Sequence, residues 1–268
     1  MATIAGLFFV CCAAYALFVE PRLMRVRRME LRPSRWPEAA GSLAVCQVSD
    51  PHLTEAQRPA RRLAELVLAQ GPSVVVLTGD LPRWDGHAGG ARLLVSILAE
   101  RVPVYLVPGN HDAPEELESY AGLGATVLVN RCELLREGVW MCGVDDPVDG
   151  DPDPTAAFGP VPEDAFAILL SHAPDVVYKR GWERADLVIC GHTHCGQVHL
   201  PFVGPLVTLS DAPRRYRHGL LIEGGRAFYT SAGAGHVTRL RFLCRPEIAV
   251  FSIAAPHDVS LASAERVE

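Results

Sequence analysis

Apolar residues fall along this chain in short runs, most of them rich in Val, Ile and Leu. Leu43–Val48, Ser73–Thr78, Val102–Val107, Val139–Val144, Phe166–Leu170 and Ala185–Cys190 predict buried strands. Between or just after the first three, Pro59–Gln70, Gly89–Glu100 and Pro114–Leu123 predict helices. Strands resume at Gly219–Glu223, Ala227–Ser231 and Ile248–Ile253. Alternation of this kind predicts a layered α/β domain over residues 42–268, with no internal repeat. Asp145–Asp164 interrupts it with seven acids, no bases and five prolines, which predicts a solvated surface excursion.

The N-terminus has a different pattern. Ala2–Val19 carries no charge, and as a helix it would span about 27 Å, close to a ~30 Å hydrocarbon core. Residues 1–20 are therefore expected to form a transmembrane anchor, and 21–41 a basic juxtamembrane linker. Two other readings are a cleaved secretory signal, for which Ala14-Tyr15-Ala16 is a small-x-small site, and a buried helix. No Lys or Arg precedes the run, whereas Arg22, Arg25, Arg27 and Arg28 follow it. The positive-inside rule then puts the catalytic domain in the cytoplasm, with the arginines against anionic headgroups.

Composition narrows the function classes. At 49% apolar and 21% charged residues, the 268-residue chain can build a large core. Its net charge of −6 argues against a nucleic-acid polymer as partner. The single lysine, Lys179, excludes a Walker-type phosphate loop, and no Gly-x-Ser-x-Gly nucleophile elbow occurs. The eight cysteines form no Cys-x-x-Cys and mostly sit in apolar runs, so they are expected to be reduced structural thiols in a reducing compartment. Cys195 stands out because it directly follows His-Thr-His.

The chemistry collects where predicted strands stop. The first ends in Asp50-Pro51-His52, the second in Gly79-Asp80, and the third in Gly109-Asn110-His111-Asp112. The fifth ends in Ser171-His172 and the sixth in Gly191-His192-Thr193-His194. Carboxyl ends of strands are where open α/β sheets bind ligands. Imidazoles and carboxylates gathered there carry a desolvation cost that a cation offsets. Oxygen and nitrogen donors without thiolates suit a hydrolytic pair of divalent ions: Mn, Fe, Zn or Ni.

In these five blocks the chain resembles the calcineurin-like metallophosphoesterases, in particular a small bacterial branch with an N-terminal membrane segment. The likeness continues through Gly143–Pro147, Gly196–Val198 and Phe242–Glu247. It implies a four-layer α/β/β/α sandwich with two mixed sheets. It also implies one metal held by Asp50, His52, Asp80 and His194, and a second held by Asp80, Asn110, His172 and His192. Two divalent ions, two carboxylates and a hydroxide leave a net charge of about +1, which attracts a phosphate oxyanion. His111 is then placed to protonate the leaving oxygen. Asp112 is placed to hold its ring, or to cap the helix that follows. Leu81-Pro82-Arg83-Trp84 departs from the family pattern at the pocket rim, where Trp84 would stack on a base, cover an acyl chain or simply pack.

Weaker candidates are Arg214, Arg215 and Arg217, as a clamp for a second phosphate or a solvated loop, and His199, His218 and His236, as structural or surface groups. The implied activity is hydrolysis of a phosphodiester or diphosphate, with a lipid-linked substrate such as UDP-diacylglucosamine favoured by the anchor. The alternatives are a phosphatase acting on nucleotides or phosphoproteins, and a catalytically silent metal-binding scaffold at the membrane.

Overall fold

The computed structural model describes residues 2–84, 87–200 and 202–256. Met1 of the expected anchor and residues 257–268 of the expected domain lie outside the described residues. In chain order the strands are β1 (Arg25–Leu31), β2 (Leu43–Val48), β3 (Val74–Thr78), β4 (Val104–Val107), β5 (Thr126–Val127), β6 (Arg131–Arg136) and β7 (Val139–Gly143). They continue as β8 (Phe166–Leu170), β9 (Leu187–Cys190), β10 (His199–Leu200), β11 (Gly204–Pro205), β12 (Gly219–Glu223), β13 (Arg226–Thr230) and β14 (Glu247–Ile253). The α-helices are α1 (Ala2–Ala14), α2 (Gln57–Leu68), α3 (Gly89–Ala99), α4 (Pro114–Gly122) and α5 (Pro154–Ala157).

Two six-stranded mixed sheets result, ordered β1-β14-β2-β3-β4-β5 and β12-β13-β9-β8-β7-β6. Val45, Val76, Phe166, Ile168, Ile189 and Phe251 pack between them. On the outer face of the first sheet, α2 to α4 bury Leu63, Leu94, Leu98 and Tyr120. The apolar positions of α2, Ala60, Leu63, Ala64 and Val67, recur every three or four residues, which is why that helix lies flat on the sheet. The fourth layer is thin. It consists of α5 and 3₁₀ turns such as Pro174–Tyr178, because the Pro-rich segment after β7 cannot sustain a long helix.

Every predicted strand and helix of the α/β domain forms, with ends moved by one or two residues. Three expectations need correction. The segment expected to be a linker contains β1, which runs parallel to β14 along the sheet edge. Several of its arginines are committed to the fold: Arg25 pairs with the buried Glu247, and Arg35 with Asp186 at 2.9 Å. Cys132 and Cys142 are not free thiols. They face each other across the antiparallel β6–β7 pair, with Cα atoms 4.0 Å apart, and form a disulfide. The stretch from Asp145 is not wholly solvated, since Asp146 is only 3% exposed. Separately from these, among the described residues no helix is long and apolar enough to cross a membrane. The N-terminal run leaves α-helical geometry after Ala14, passing through a π-helical turn, Tyr15–Val19, and a 3₁₀ turn, Glu20–Arg22.

Candidate metal centre

The carboxyl ends of β2, β3, β4, β8 and β9 converge. Each chain must turn sharply just after its strand, and the backbone records it: Asp50, His52, Asp80, His192 and His194 all have φ between 44° and 66°. Left-handed backbone is uncommon for residues with a side chain, and when it clusters like this it marks a functional site. Gly79, at φ 83°, has a second constraint. A Cβ there would lie 2.6 Å from both His172 Nδ1 and the Gly109 nitrogen, so only glycine lets the Asp80 and Asn110 loops close on His172.

The seven predicted ligands are brought together. His52 Nε2 lies 3.2 Å from His194 Nε2 and 3.8 Å from Asp80 Oδ2, and His194 Nε2 is 3.5 Å from Asp50 Oδ1. On the other side of Asp80, His172 Nε2 is 3.6 Å from Asp80 Oδ1 and 3.1 Å from Asn110 Oδ1 and His192 Nδ1. Asp50, His52 and His194, and Asp50, Asp80 and His172, are each spaced to hold an ion. Asp80 thus faces both groups, as a bridge would.

Ring orientation is set from behind. His172 Nδ1 donates to the Thr78 carbonyl at 2.8 Å, and His192 Nε2 to the Leu209 carbonyl at 2.9 Å. The nitrogens left over point inward. Asp50 is held by the Ser49 hydroxyl and the His192 amide, while its Oδ1 is buried without a hydrogen-bond partner. An orphaned carboxylate oxygen beside inward-facing imidazoles is what a cation site requires.

The electrostatics agree. Burial works against charge on Asp50, yet His194, His172 and His52 hold its carboxyl down to about 2. Burial likewise depresses His172, but Asp80, Asp50 and Asp146 outweigh it and raise that imidazole to about 9. Positive charge is therefore favoured where His172 faces Asp80 and Asn110, while burial and the neighbouring His172 depress His192, leaving its ring a neutral donor of the kind a cation needs.

His111 stands at the mouth. Its ring is 32% exposed, with Nε2 3.9 Å from Asp80 Oδ2, and its amide donates to Asp80 Oδ1 at 2.9 Å. Asp112 does neither expected job. Its carboxylate accepts the backbone N–H groups of Asp80, Gly109 and Leu81 at 2.7, 2.9 and 3.1 Å, tying two ligand loops together, while Ala113 caps α4. Trp84 is 46% exposed and forms a rim, its ring 6.1 Å from that of His52 and 5.9 Å from that of His111, with the Arg83 guanidinium over it. Beside His52 opens a cavity of about 380 Å³, lined by apolar Leu53, Leu63 and Leu66 and by Arg62 and Arg83.

The arginine clamp does not assemble. Arg214 bonds the Val203 carbonyl, Arg215 pairs with Glu223, and Arg217 bonds the Ala212 carbonyl and the Thr208 hydroxyl. Two contributors were missed. Asp146 adds its charge to the surroundings of His172; its place within Gly143–Pro147 was the signal that could have found it. Arg241 is fully buried, bonds the Ala232 and Cys244 carbonyls at 2.8 and 3.1 Å, and lies 3.4 Å from His194 Nδ1. Only its place just before Phe242–Glu247 could have drawn attention to it.

Similarity to known proteins points the same way. An uncharacterized metallophosphoesterase of Bacillus subtilis, YkuE, is 29% identical over 89% of this chain and 88% of its own length. Phosphodiesterase YaeI of Escherichia coli is 32% identical over 70% of this chain and 73% of its own. UDP-2,3-diacylglucosamine pyrophosphatase LpxG of Chlamydia trachomatis is 22% identical over 87% and 90%. Residues 43–196, which carry every ligand block, match the calcineurin-like phosphoesterase family, and the chain belongs to it as a phosphoric ester hydrolase.

Proposed function

We propose that this enzyme hydrolyses a phosphodiester or diphosphate bond at a membrane surface with two divalent cations. One is held by Asp50, His52, Asp80 and His194, the other by Asp80, Asn110, His172 and His192. The observation carrying this reading is the set of inward-facing acceptors on both sides of Asp80. When bound, the cations neutralise charge on the phosphoryl group and activate water for in-line attack. The chain's own residues do the rest. Ser49 and the His192 amide fix Asp50, Asp112 holds the Asp80 and Gly109 loops in register, and Arg241 braces the turn behind His194. His111, at the mouth, delivers a proton to the leaving oxygen.

A lipid-linked substrate is favoured by the cavity beside His52, where apolar side chains and two arginines suit a phosphate bearing an apolar group. The chlamydial relative, a diacylglucosamine-nucleotide pyrophosphatase by name, supports the same class. The exposed apolar N-terminal run is proposed as the anchor, with the catalytic domain facing the cytoplasm. Exposed Arg22 and Arg28 support that orientation; the Cys132–Cys142 bridge removes the argument from reduced thiols. The test is a screen of metal-loaded protein against monoesters, soluble diesters, UDP-lipids and phosphopeptides. Turnover of diesters and UDP-lipids is expected; inactivity on every phosphoester would leave the silent scaffold. Protease protection in spheroplasts reads the orientation, and digestion of the domain from outside would reverse it.

A further inference from the structure

The hairpin that follows the last ligand turn carries its apolar side chains outward. β10 and β11 pair antiparallel, and Phe202, Val203, Leu206, Val207 and Leu209 in and after the hairpin are each more than half exposed, Phe202 completely. Side chains of this size gain from burial in an apolar phase, so five left in water are an unused driving force. Contiguous apolar surface of this kind marks an interaction site.

Two sets of contacts say where the patch lies. At its end, the Leu209 carbonyl accepts from His192 Nε2, so it abuts the metal centre. At its start, Val198 bridges to Phe242 and the His199 amide donates to the Phe242 carbonyl at 2.9 Å. The residues on either side of Phe242 bind the N-terminal run: the Arg241 amide donates to the Ala16 carbonyl at 3.0 Å, and the Leu243 amide to Glu20 Oε2 at 2.8 Å. Leu243 is itself exposed, as are Phe18, Val19 and Leu23. The hairpin and the apolar N-terminal helix therefore spring from one shared platform.

Exposed charge on these segments is mainly basic. No acidic residue occurs between Cys195 and Ser210, and Arg22, Arg214, Arg239 and Arg245 are exposed in the chain segments that frame the platform. We propose that the β10–β11 hairpin is a second membrane contact, entering the interfacial layer of an anionic bilayer beside the N-terminal helix so that the metal centre sits at the lipid surface. A second copy of the chain is a poorer occupant, because a two-fold contact would set the same arginines against each other. Anionic headgroups instead gain from each of them. The proposal rests on the reading of the N-terminal run as an anchor and stands apart from the choice of substrate.

The test uses the full chain in phosphatidylcholine–phosphatidylglycerol vesicles with and without bromine on the acyl chains. Phe202→Trp adds an emission that bromine should quench by about half or more, as for a residue at the acyl boundary. Ile222→Trp serves as control. That position is also exposed, but it lies on β12 opposite Ala227, at the end of the sheet away from the ligand loops. Hydrolysis of a soluble diester by each variant verifies folding. Equal quenching at the two positions, or none at Phe202→Trp, would overturn the proposal. So would an emission shift that depends on protein concentration and ignores bromine, which would assign the patch to a second copy.

Discussion

His172 and His192 turn their free ring nitrogens toward each other, 3.1 Å apart, while a backbone carbonyl holds the opposite nitrogen of each ring. Neither carbonyl belongs to a ligand residue. Thr78 ends β3, and Leu209 lies in the segment after the β10–β11 hairpin. The tautomer of each imidazole is thus chosen by the fold before any ion arrives, which is how a supporting shell tunes a metal ligand.

Asp80, the proposed shared carboxylate, faces His52 on one side and His172 on the other. Asp80→Asn keeps an oxygen able to accept the His111 amide, so the domain should fold. It loses the anion that two cations share, and turnover should fall at least about 100-fold. Elemental analysis should find markedly less metal; two full equivalents would refute the bridge.

His111→Ala should lower turnover by about 10²–10⁴-fold with metal content near wild type. The deficit should shrink for a nitrophenyl ester, whose leaving group departs without a proton. Equal deficits for good and poor leaving groups would leave His111 a positioning role only.

Asp112→Ala strands the amides of Asp80, Gly109 and Leu81. Stability of the metal-free protein should drop by about 2–4 kcal/mol, with weaker metal retention. Thermal unfolding in a chelator measures the first; an unchanged midpoint would mean that water replaces the carboxylate at no cost.

The Cys132–Cys142 bridge closes a short loop on the far edge of the second sheet. Replacing both cysteines by serine should cost about 2–3 kcal/mol and leave metal content and turnover unchanged. Loss of metal would show that β6 reaches the site in a way the contacts do not suggest.

The strands and helices were readable where burial imposes a pattern, as in Val74–Thr78 or α2. They were not where an element lies at an edge. β1 is disguised by Arg25, Arg27 and Arg28, and β6 by Arg131, Glu133 and Arg136, because edge strands tolerate charge that central strands cannot. The convergence of the seven candidate ligands was readable because each sits at a strand end in a local motif. Asp112 was misassigned, since its role depends on amides 31 and 32 residues upstream in chain order that only the fold brings near. Cys132 and Cys142 looked like isolated thiols because their meeting depends on the β6–β7 register.

The most direct measurement titrates chelated, metal-free protein with Mn²⁺ while following hydrolysis of bis(p-nitrophenyl) phosphate. Activity should be absent at the start, rise with added metal and break at two equivalents per chain, with elemental analysis finding the same two. Saturation at one equivalent, or turnover that survives complete removal of metal, would contradict a paired-cation centre built on Asp80.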